Sequence, residues 1–120
     1  MKMCYNPPKI LKDFDMESSY THQFVELKSF NPKDYCVIDI RDAESYHKAH
    51  LKEALHMDDL NAIKKFALEH PQDKVLLQCW RGNTAAQYAN ALHGAGVSNI
   101  YFLKADFDDF KASGLEVLES

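Results

Sequence analysis

Three largely apolar runs, Tyr35–Cys36–Val37–Ile38–Asp39–Ile40, Lys74–Val75–Leu76–Leu77–Gln78 and Asn99–Ile100–Tyr101–Phe102–Leu103, set the strongest limit on how this chain folds. None alternates apolar with polar residues, so each reads as a strand buried on both faces. The segments between them have helical periodicity. Asp42 can cap a short helix through about Lys48. Asp58–Asp59 can cap a second helix that carries Leu60, Ile63, Phe66 and Ala67 on one face and stops before Pro71. A third helix is expected over Ala85–His93, with Gly94 as its C-terminal cap, and a last one carries Phe107 and Phe110 before Gly114. Leu55–His56–Met57 is a possible short strand, and Thr21 could cap a short helix carrying Phe24, Val25 and Leu27. Strands that alternate with helices predict an α/β fold: a parallel β-sheet flanked by helices on both faces.

With 120 residues the chain has room for one core and not comfortably for two, so a single domain is expected over 20–120. Residues 1–19 mix prolines, charges and isolated apolars and read as an arm or edge element. No apolar run approaches the length of a membrane span, and the first residues lack the apolar stretch of a secretory signal. A cytoplasmic location and no membrane partner are expected. The formal charge of -4, with fourteen Lys and Arg scattered along the chain, disfavours a nucleic-acid partner. Cys4, Cys36 and Cys79 form an odd set without a C-x-x-C pair, which disfavours a disulfide framework and a structural zinc site. Each is therefore read as a separate thiol, with Cys36 in the core. His47, His50 and His56 show no recurring ligand spacing, so no metal is expected.

Cys79 follows the second run directly, at the end of that strand, and stands before Trp80–Arg81–Gly82–Asn83–Thr84 and the alanine-rich helix. Ligands of open parallel sheets bind beyond the carboxyl ends of the strands, where this cysteine falls. Gly82 is free to adopt a left-handed turn, so the backbone N–H groups of the short loop can curl around the sulfur. The start of the following helix adds unpaired N–H groups that favour negative charge. Such a setting favours the nucleophilic thiolate. Arg81 supplies a fixed cation able to hold an oxyanionic substrate, and Trp80 is a candidate pocket wall. Gly82 and Asn83 shape the loop, and Thr84 reads as a helix cap. Asp39 and Arg41 end a neighbouring strand and read as a supporting ion pair.

Cys79–Trp80–Arg81–Gly82–Asn83–Thr84 resembles the C-x-x-G-x-T active-site loop of the rhodanese (thiosulfate sulfurtransferase) family. Val37–Ile38–Asp39–Ile40–Arg41 is similar to the family's V-I-D-V-R motif, His50–Leu51–Lys52–Glu53–Ala54 to its G-H-I-P-G-A segment, and Leu92–Ile100 to its L-x-x-x-G-[FY]-x-x-[VI] stretch. The likeness spans roughly residues 20–119. Departures fall in supporting loops: Ala49, Lys52 and Glu53 around His50, Lys104–Ala105–Asp106 in place of a Gly–Gly turn, and Phe110 in place of a common tryptophan.

The resemblance implies a single-domain sulfurtransferase with Cys79 as catalytic nucleophile and substrate contacts from Trp80, Arg81, Gly82, Asn83 and Thr84. It implies no cofactor. Thiosulfate or a similar small molecule would be the donor, and cyanide or a thiol, including a thioredoxin-type protein, the acceptor. A rhodanese-like sulfur carrier or protein-binding module without turnover is the alternative. A cysteine phosphatase or arsenate reductase would need a loop one residue longer that closes on an arginine, and Ala85 stands at the sixth position after Cys79.

Overall fold

The computed structural model describes residues 24–119. Its centre is a five-stranded parallel sheet in the order β1-β6-β5-β2-β4, built from β1 (Phe24–Glu26), β2 (Cys36–Asp39), β4 (Leu55–His56), β5 (Val75–Gln78) and β6 (Ile100–Lys104). Every residue of β2 and β5 is buried, as their uninterrupted apolar runs require.

Because side chains alternate across a strand, the same runs feed two cores. Cys36, Ile38 and Ile40 join Val75, Leu77 and Cys79 under α2 (Leu60–Glu69) and α3 (Asn83–Gly94), where Ile63, Ala67, Ala85, Ala89 and Leu92 meet them. On the opposite face Val37, Leu76 and Leu103 pack with Leu51, Ala54, Phe107 and Phe110, beside Tyr46 of α1 (Ala43–Lys48). Helices therefore cover both faces, the α/β arrangement read from the sequence.

The caps of the first two helices lie where the sequence places them. Asp42 accepts from the Ser45 amide at 3.1 Å, and Asp59 from the Ala62 amide at 2.9 Å. The α3 terminus is different. Gly94 is still helical, and the left-handed residue is Gly96 (φ 91). Val97 N–H bonds the Leu92 carbonyl at 2.9 Å and Gly96 N–H the His93 carbonyl at 3.0 Å, a Schellman closure that buries Val97.

Other expectations are corrected. Phe24 and Val25 are not helical: Phe24–Glu26 pairs in parallel with Phe102–Lys104, and a single 3-10 turn, Leu27–Ser29, follows. Burial of Val25 against β6 outweighs the helical spacing. Phe107 and Phe110 sit on a 3-10 turn, Phe107–Asp109, and the ensuing turns, not on a full helix. A two-stranded antiparallel ribbon, β3 (Ala49–Leu51) with β7 (Val117–Glu119), was not expected. Cys36 is buried as expected, yet it is disulfide-bonded, so it is not a separate thiol. Thr21, Cys4 and the 1–19 arm lie outside the described residues.

Candidate active site

Cys79 follows β5 directly, at the carboxyl end of the parallel sheet, and is 6% exposed. Its Sγ accepts from the Gly82 amide at 3.1 Å and from the Ala85 amide at 3.4 Å. Gly82 makes this possible. It caps α3 at φ 100 and ψ -11, and a side chain there would press on the backbone of Leu103 and Lys104. The loop thus turns sharply over the end of β6 and delivers the first amides of α3 to the sulfur. Those amides are the orphan donors of a helix N-terminus, and α3 has no side-chain cap to occupy them. Thr84 is accordingly not a cap: it lies inside the first turn, exposed.

A cavity of about 250 Å³ opens beside the sulfur, lined by Ile40, Arg41, Asp42, Trp80, Arg81, Asn83 and Thr84 along with Cys79. The structure therefore brings all but one of the sequence-predicted loop residues to one cavity, while Gly82 lies buried beneath them. Arg81 is exposed at its rim. Hydrogen bonds from the Ser45 hydroxyl and amide hold the Asp42 carboxyl below the usual carboxylate range.

Asp39 and Arg41 form the expected ion pair. The guanidinium grips the carboxylate side-on, Nε to Oδ1 at 3.0 Å and Nη2 to Oδ2 at 2.8 Å, with both side chains almost completely buried. Nη2 also donates to the Ala49 carbonyl. The His56 ring bonds the Arg41 carbonyl through Nε2 at 2.7 Å and so steadies the end of β2.

The pair reaches the cysteine loop through aromatic rings. The Arg41 guanidinium carbon lies 4.5 Å from the Trp80 ring centre and 4.0 Å from that of Phe107. Trp80 meets Phe107 edge-on at 5.4 Å, and the Trp80 carbonyl accepts from the Phe107 amide at 2.7 Å. Trp80 is 48% exposed yet held from beneath, which makes it a fixed wall of the cavity. Sequence reasoning gave Phe107 only a place on a last helix and missed this clamp, because only the fold brings residue 107 under the loop. It also passed over Gln78, a lone amide in an otherwise apolar strand.

Chemically, the arrangement is a buried sulfur that receives two backbone donors, next to a small opening with one cation at its mouth. It suits a sulfur that must accept and release a further atom.

Residues 22–113 match the rhodanese-like domain family. Among curated proteins, the chain is 30% identical over 78 residues to the thiosulfate sulfurtransferase GlpE of Pseudomonas savastanoi pv. phaseolicola, covering 64% of this chain and 73% of that protein. It is 28% identical over 81 residues to the GlpE of Coxiella burnetii, covering 67% and 75%. Among solved structures, protein hp1203 from Helicobacter pylori 26695 superposes with a TM-score of 0.80 at 27% identity, over 85% of this chain and 94% of that one. A rhodanese-related protein from Thermoplasma volcanium shares the fold, with a TM-score of 0.66 at 18% identity over 80% and 97%.

Proposed function

Because the chain belongs to the rhodanese-like domain family, we propose that it is a sulfurtransferase that carries sulfane sulfur on Cys79. The observation that supports this reading most is the pair of backbone donors, Gly82 and Ala85, aimed at the Cys79 sulfur. In the first step the Cys79 thiolate attacks the outer sulfur of thiosulfate. The new S–S bond forms as the old one breaks, and sulfite leaves with the electron pair. The anionic outer sulfur of the persulfide stays in the cup of loop amides. In the second step cyanide or a thiolate attacks that outer sulfur and the Cys79 thiolate leaves, so charge and atoms balance without a cofactor or an external oxidant.

Arg81 is assigned to the sulfonate end of the donor, since a guanidinium offers paired donors to such oxygens. Trp80 is the wall of the cavity, Asn83 and Thr84 contribute first-turn amides, and the Asp39–Arg41 pair supports the loop from below. Thiocyanate formation from thiosulfate and cyanide tests the reading: the wild-type protein turns over and Cys79→Ser does not. A persulfide that forms on Cys79 without turnover would instead favour the carrier function, for which the exposed Trp80 beside the cysteine offers a protein-facing surface. Neither persulfide nor turnover would refute both.

A further inference from the structure

Gln78 is the last residue of β5 and the one polar side chain in Val75–Gln78, and like its three neighbours in the strand it is wholly buried. An amide taken out of water is costly unless its donor and acceptor are both bonded, and a leucine would fill the place without that cost. Half of this amide is bonded. Nε2 donates to the Cys79 carbonyl at 3.1 Å, and Oε1 has no partner among the described residues. The contact fixes which way the amide faces, since exchanging its oxygen and nitrogen would set two acceptors against each other. Gln78 is also in register with Asp39 on β2, so it belongs to the polar layer that includes the Asp39–Arg41 pair under the cysteine loop.

The Cys79 carbonyl is the first beyond the β5 ladder, and among the described residues no backbone N–H pairs with it. The Cys79–Trp80 peptide is trans, so its N–H points away from its C=O. Holding the carbonyl therefore sets the direction of the Trp80 N–H, which donates to no protein group among the described residues. Gly82 and Ala85 already serve the Cys79 sulfur itself.

We propose that Gln78 is a positioning residue: by gripping the Cys79 carbonyl it keeps the Trp80 N–H directed at the outer sulfur carried on Cys79. The proposal rests on the sulfurtransferase reading above. It explains why a costly amide stands in an apolar strand, one residue before the nucleophile.

Gln78→Met keeps length and volume and removes the donor. It is expected to lower kcat for thiosulfate–cyanide transfer about tenfold, the effect of one hydrogen bond on a barrier, with KM for thiosulfate and thermal stability close to wild type. Turnover within twofold of wild type, or a loss that follows a matching fall in stability, would overturn the proposal. A second measurement needs no variant and decides the matter if Gln78→Met does not fold. In wild-type protein loaded with thiosulfate, the Trp80 amide proton resonance should move downfield as the persulfide forms. A persulfide with an unmoved Trp80 amide overturns this proposal alone, whereas no persulfide on the wild-type protein overturns the sulfurtransferase reading and this proposal with it.

Discussion

Gly82→Ala is the substitution whose cost follows most directly from the coordinates. Gly82 holds φ 100, a conformation that costs an L-residue about 1–2 kcal/mol. An added Cβ would stand 3.0 Å from the Leu103 carbonyl oxygen and 3.1 Å from the Lys104 Cα, both backbone atoms of β6 that cannot swing aside. Crowding of that kind costs about 1–3 kcal/mol more. The sum, about 2–5 kcal/mol, corresponds to a fall in melting temperature of about 8–20 °C at roughly 4 °C per kcal/mol.

The displaced loop also withdraws the Gly82 amide from the Cys79 sulfur, so thiocyanate formation should drop even at temperatures where the variant is folded. Gly94→Ala is the matched control. Its backbone is helical, and nothing lies within 4 Å of the added carbon, so it should be neutral or stabilising by up to about 1 kcal/mol. Calorimetric melts of the three proteins check this. A Gly82→Ala variant within about 1 kcal/mol of wild type and fully active would refute the account of the loop.

Three further outcomes are expected. Asp39→Asn leaves the Arg41 guanidinium buried beside a neutral partner and should destabilise by about 3–5 kcal/mol in urea titrations, with an unchanged m-value. Arg81→Gln should raise KM for thiosulfate up to about fivefold, as suits an exposed charge, with kcat held, and the gap should close near 1 M salt. Ser45 holds the Asp42 carboxyl below its unfolded value, so the capping contribution is present above the unfolded pKa and is lost as pH falls through the folded one. Ser45→Ala should move the Asp42 carbon resonance titration to higher pH, and an unmoved titration would contradict the assignment.

The parts of this fold visible in the sequence are those with local causes. β2 and β5 announce themselves as apolar runs because both of their faces are buried, and Asp42 and Asp59 announce α1 and α2 because an N-cap is a one-turn interaction. Cys79 and Gly82 were legible for the same reason: a strand end, a glycine and a helix start stand within a few residues of one another. What escaped depends on distant chain. Phe24–Glu26 becomes a strand through its pairing with β6, and Ala49–Leu51 through its pairing with Val117–Glu119. Phe107 reaches Arg41 and Trp80 by a crossover that no local pattern encodes. Thr84 was misread because Gly82, held in its left-handed turn against β6, takes the N-cap position two residues earlier.

The most direct test of the central claim is a mass measurement on the intact protein after brief exposure to thiosulfate, followed by alkylation and peptide mapping. The account requires the gain of one sulfur atom on the peptide that contains Cys79, its loss on addition of cyanide, and a weaker or shorter-lived signal in Gly82→Ala. No added sulfur on Cys79, or sulfur held equally well when the loop amide is displaced, would contradict it.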